Sequence, residues 1–120
     1  MPTPFALAWD AVARHLRVEG EVGETDSAAF ARALVDACAT VPRPEHGGSL
    51  ALDLDGLDLL DGVAVAEAIN GLRAALALGA PVVLHRAPQM LAHTLYKIGM
   101  LTDGAISLED PRVEEPTTAN

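Results

Sequence analysis

Along the first twenty residues apolar and polar positions alternate. Phe5, Leu7 and Trp9 interleave with Ala6, Ala8 and Asp10, and after a short turn Leu16 and Val18 interleave with His15, Arg17 and Glu19. A period of two sends successive side chains to opposite faces of a strand, so two half-exposed strands joined as a hairpin are expected to open the fold. Residues 20–24 break this rhythm. Thr25, Asp26 and Ser27 follow, each with an oxygen able to cap a helix. The period then becomes helical, with Phe30, Leu34, Ala37 or Cys38, and Val41 falling on one side.

Residues 42–48, rich in Pro and Gly, read as a surface loop. Leu50, Leu52 and Leu54 start a third strand, and residues 81–85 form a nearly continuous apolar run, the mark of a central parallel strand covered by helices. Between these strands Val65, Ile69, Leu72 and Leu76 give a helix its buried stripe, with Glu67, Asn70 and Arg73 on the opposite side. Gly79 closes that helix and Pro81 stops its continuation. Pro88 suits the first turn of a third helix, in which Leu91, Leu95 and Ile98 face inward until Gly99 ends it. Residues 105–108 can add a last strand, and the tail 111–120 has nothing to bury and is expected to be disordered. Strands alternating with helices in this order predict an α/β fold: one domain over residues 1–110, with a mixed central sheet of about five strands joined by crossover helices.

Composition narrows the picture. In a chain of 120 residues, 50% are apolar but only 3% aromatic, so the core must be built from Ala, Leu and Val. The formal charge of −9, from 17 acidic and 8 basic residues, argues against a nucleic-acid partner, because phosphate backbones are held by basic faces. The same charge opposes an anionic membrane surface but suits a basic groove on another protein. The single cysteine, Cys38, has no internal disulfide partner and reads as a small buried hydrophobe. The start of the chain shows no secretory leader, which gives the expectation of a cytoplasmic protein. The apolar tract 62–84 is interrupted by Glu67, Asn70, Arg73 and Pro81, so no direct membrane insertion is expected. Whether copies of the chain form a homo-oligomer stays open at this level.

The row Asp53, Asp55, Asp58 and Asp61 invites chemistry. LALDLDG looks like the first motif of haloacid-dehalogenase-type phosphatases, but Leu57 stands where that motif carries a hydroxyl, and no second acidic pair follows. A calcium loop would need oxygen ligands where Leu57, Leu59 and Leu60 stand, and a terminal bidentate Glu. A third use needs no ligand. Asp61 can accept from the free amides of the helix that begins near Gly62, for about 1 kcal/mol. His15, His46, His85 and His93 have no metal-ligand spacing, and neither a phosphate loop nor a nucleophile elbow is present, so no enzyme, no metal and no cofactor is expected.

The stretch 50–85 carries a family resemblance. Asp53-Leu54 through Leu60-Asp61, Gly20-Glu21-Val22-Gly23, and Leu95 to Gly99 with Met100 resemble the patterns of the STAS domain, the fold of anti-sigma factor antagonists. The resemblance covers roughly residues 5–108. It implies a non-catalytic protein-interaction module whose acidic turn and helix start dock on a partner, here Asp61, Gly62, Val63, Ala64 and Val65. Regulatory STAS domains carry a hydroxyl residue at that helix start, which a partner kinase phosphorylates. Val63 stands at that position and cannot be modified, Gly23 replaces an acidic residue, and Ala64 replaces a glycine. The resemblance thus implies a regulator or signalling scaffold in bacterial transcription control, binding an anti-sigma factor kinase without the usual switch. An alternative is a cytoplasmic STAS subunit of an Mla-type phospholipid ABC transporter bound to its ATPase, with the helix of His93 and Lys97 in the contact. Thr25, Ser27 and Thr102 are other hydroxyls open to modification, though capping is the expected use of the first two.

Overall fold

The computed structural model describes residues 4–44 and 48–110; His46 and the tail 111–120 lie outside the described residues. Its strands and helices follow in the order β1 (Ala6–Asp10), β2 (His15–Val22), α1 (Ser27–Thr40), β3 (Leu50–Asp53), β4 (Leu57–Leu59), α2 (Gly62–Leu76), β5 (Val82–His85), α3 (Gln89–Lys97) and β6 (Ile106–Glu109). The protein is α/β, with a mixed sheet ordered β1-β2-β3-β5-β6 and β4 attached to β2. The hairpin β1/β2 is antiparallel and the remaining pairings are parallel.

Two expectations about the first half are corrected. Alternation does not end at residue 20: β2 continues to Val22, passing through Gly20 at φ +107°, where a Cβ would collide with the Pro4 carbonyl. The acidic turn also contains a strand. Leu57–Leu59 pairs with Gly20–Val22, while Leu52 and Asp53 pair with Leu16 and Arg17, so β3 and β4 share β2 end to end. The amide of Gly20 donates to the Gly56 carbonyl at 3.0 Å where the two pairings meet.

Alternation along each strand sends Leu16, Val18, Leu52, Val82, Leu84 and Ile106 to one face, where a single core forms. Phe30 and Leu34 of α1, Leu72 of α2, and Leu91 and Leu95 of α3 fill it. Gly71 lets α1 and α2 lie close, since a Cβ there would stand 3.1 Å from Leu34 Cδ2 and 3.3 Å from the Ala31 carbonyl oxygen. β5 is not covered on both faces: Val82 and Leu84 are buried, but Val83 and His85 are only half-buried. The other sheet face carries the row Ala8, Arg17, Asp53, His85 and Glu109, one residue from each of five strands.

α3 runs from Gln89, with Pro88 at its cap, and the chain turns away at Gly99 with φ +81°. Leu91 and Leu95 face inward as expected. Ile98 does not: it sits one residue past the helix, 46% exposed. Among the described residues no helix is long and apolar enough to cross a membrane.

Candidate functional site

Asp61 sits in extended backbone (φ −155°, ψ 176°) just before α2, which aims its side chain back at the helix start. Its Oδ1 accepts from the amide of Ala64 at 2.9 Å, the capping bond expected from the sequence. Its Oδ2 accepts from the amide of Glu24, also at 2.9 Å, thirty-seven residues away. One carboxylate therefore fastens the first turn of α2 to the 3-10 turn Glu24–Asp26 that leads into α1. The second bond had no signal in the sequence, because it joins segments that are distant along the chain.

The expected docking residues divide. Gly62 is exposed, with open space around a would-be Cβ, and Val63 is 43% exposed. Ala64 and Val65 are not part of any such surface, being 0% and 4% exposed and belonging to the core. Helical geometry explains the split: the inward stripe of α2 starts in its first turn, so two of the residues after Gly62 face the sheet. Leu60, ahead of Asp61, is exposed and extends the apolar corner. From Gly62 an open groove of about 360 Å³ runs between α2 and α3, lined by Val65, Ile69, Arg73, Met90 and Ile98 among others. Met90 is exposed like Ile98, so both walls present apolar side chains. Met90 and Ile98 carried a signal in the sequence as apolar residues of the third helix, but the helical period cannot tell an exposed terminal residue from a buried one.

The rest of the acidic row is spread over separate tasks. Asp53 Oδ1 accepts from the amide of Asp55 at 3.1 Å, and Asp55 Oδ1 accepts from Arg86 Nε at 3.1 Å. Asp53 Oδ2 lies 3.6 Å from His15 Nε2, and Asp10 Oδ2 lies 4.0 Å from the same nitrogen, on the open sheet face. Asp58 is exposed on β4. Among the described residues no three His, Cys, Asp or Glu side chains are placed to hold a metal ion. His85 Nδ1 is 3.9 Å from Asp110, and His93 is exposed on α3.

Among the described residues, two ionisable groups depart from their ordinary behaviour. The amide of Ala13 beside Asp10 holds that carboxyl below the usual value, helped by the amide of Val12 and by His15 and Arg17. Burial pushes the Cys38 thiol up to about 11, so at neutral pH it is protonated and poorly nucleophilic. Neither a protein-family model nor a curated protein matches the chain.

Proposed function

We propose that the protein is a non-catalytic interaction module of the STAS type, related in mechanism to anti-sigma factor antagonists but lacking their phosphorylation switch. One observation carries this reading: the start of α2 presents Leu60, Gly62 and Val63 outward from a corner that Asp61 holds at both oxygens. Exposed apolar residues grouped at a fixed corner fit a partner surface better than they fit solvent. With Val63 in place of a hydroxyl, no charge can be added at this corner by a kinase, so its affinity for a partner stays constant. A partner such as an anti-sigma factor kinase would be bound competitively and would release whatever it otherwise held.

The groove favours a second reading. Met90 and Ile98 extend the apolar surface onto α3, as a broader contact with the ATPase of an Mla-type phospholipid transporter would require. Affinity capture from the source cell separates the two by the kind of protein recovered. Val63→Glu, at an exposed position, is expected to lose the captured partner while leaving the far-ultraviolet circular dichroism unchanged. Equal recovery by the wild type and Val63→Glu would overturn docking at this corner. Asp61 is unsuitable for this purpose, since its replacement also releases two helix starts.

A further inference from the structure

At the end of the sheet where β3 begins, an open cavity of about 270 Å³ lies between the first hairpin and the start of that strand. Most of its wall is apolar and fixed in advance. Trp9 is half-buried, packed against the core while also lining the cavity. Pro42 and Pro44 add surface whose backbone φ is set by their rings. Two polar groups interrupt this lining, the Arg14 guanidinium and the hydroxyl of the exposed Ser49. Arg14 is the unusual member. In the turn 10–14 its amide donates to the Asp10 carbonyl at 2.7 Å, and its φ is +58°, a region where glycine or asparagine is less strained. Strain of this kind beside a cavity points to a residue that is used. Among the described residues Arg14 has no ion-pair partner. Asp10, the nearest carboxylate along the chain, gives Oδ1 to the amides of Val12 and Ala13 and Oδ2 to Arg17. In a chain of net charge −9, an uncommitted cation therefore stands at the same cavity as the single tryptophan.

We infer that this cavity binds a small organic monocarboxylate with an aromatic or otherwise apolar body. Arg14 meets the carboxylate, which a guanidinium can hold through two parallel hydrogen bonds. Trp9 and the two prolines take the body, and Ser49 offers one further hydrogen bond. Size and charge narrow the class. The volume falls just below the range of about 300–1,000 Å³ usual for ligand pockets, and one cation cannot balance the several charges of a nucleotide. Walls fixed by prolines and by the core need little ordering when the ligand enters, which favours binding of so small a molecule. β3 and β4 run on along β2 toward Asp61, so the cavity and the corner at Val63 lie at opposite ends of the sheet. The ligand site therefore does not rest on the docking proposal.

Because Trp9 is the chain's single tryptophan, its fluorescence reports on this cavity directly. Titrating the whole chain with phenylacetate is expected to give a saturable change with a Kd of about 1 mM or below. Phenylacetamide keeps the ring without the charge, and acetate keeps the charge without the ring. Each should bind at least about tenfold more weakly. Arg14→Gln should weaken phenylacetate by about tenfold or more, and Arg14→Lys by less, since it keeps the charge but loses the paired geometry. Val63→Glu should bind as the wild type does. Amide shifts of Arg14, Ser49 and Leu50 in two-dimensional NMR, followed in the same titration, register any binding that leaves the indole unperturbed. Circular dichroism and the urea midpoint establish that each variant is folded. No saturable change in either signal up to about 20 mM phenylacetate would overturn the proposal. So would equal affinity for phenylacetamide or acetate, or undiminished binding by Arg14→Gln.

Discussion

The two long helices begin in opposite ways. At the start of α1 stand three residues suited to capping, Thr25, Asp26 and the first helical residue Ser27, yet none caps it: Asp26 has helical backbone (φ −101°, ψ −7°) and makes no side-chain bond to the helix. The buried Ser27 hydroxyl donates instead to the Glu24 carbonyl at 2.9 Å. Ahead of α2 a single carboxylate, Asp61, in extended backbone, caps its own helix and also accepts from the turn that precedes α1. The difference teaches that capping is a property of backbone conformation first and of residue type second. A side chain can fold back over a helix start only when its own residue is still extended, and a 3-10 lead-in removes that option.

If α1 is held by its apolar stripe rather than by its start, truncating that stripe should have the largest effect. Leu34→Ala removes a buried side chain packed at Gly71, and a loss of roughly 3 kcal/mol is expected in urea denaturation. A change within about 0.5 kcal/mol would mean that α1 is anchored elsewhere.

The contrast between the starts themselves is sharpened by two alanine variants measured side by side. Asp61→Ala leaves the amides of Ala64 and Glu24 without their acceptor and should cost about 1–3 kcal/mol. Asp26→Ala should change stability by less than about 0.5 kcal/mol. Equal losses would mean that the two helix starts are held alike. Loss of hydrogen-exchange protection in Asp61→Ala should also spread to the first turn of α1, because the two starts share one carboxylate.

The smallest effect concerns Asp10, which clasps a turn much as Asp61 clasps a helix. Its Oδ1 accepts from the amides of Val12 and Ala13, both at 3.0 Å. The folded-state carboxyl is held below the ordinary value of 3.8, chiefly by the Ala13 amide. Its contribution is therefore complete above that value and is lost as pH falls through the lower folded-state value. Asp10→Asn should be less stable than the wild type near neutral pH, with the two stability curves converging in acid. Parallel curves down to pH 2, about two units below the ordinary carboxylate range, would show that the clasp does not titrate with folding.

Much of the architecture was legible in local rhythm. Leu16 and Val18, Phe30 and Leu34, Ile69 and Leu72, and Leu91 and Leu95 all bury as their periods require. β4 was not legible, because three residues with Asp58 between two leucines give too short an alternation, and what makes them a strand is the far end of β2. Ile98 was misplaced for a related reason: the period extends past Lys97, where the helix itself stops and the side chain opens onto the groove. At the candidate surface, Asp61 and Val63 were readable from the acidic turn, whereas Ala64 was assigned to the outside, and Val65 to the docking residues as well as to the buried stripe of α2, which is where both lie.

The sequence by itself determined the strands and helices other than β4 and which side of each is apolar, because those properties depend on neighbours within a few residues. Tertiary structure alone decided that β3 and β4 divide β2 between them, that Asp61 serves two helix starts, and that Met90 and Ile98 share a groove with α2. Each of these joins segments separated by many residues, and no local pattern specifies which distant backbone will supply the partner.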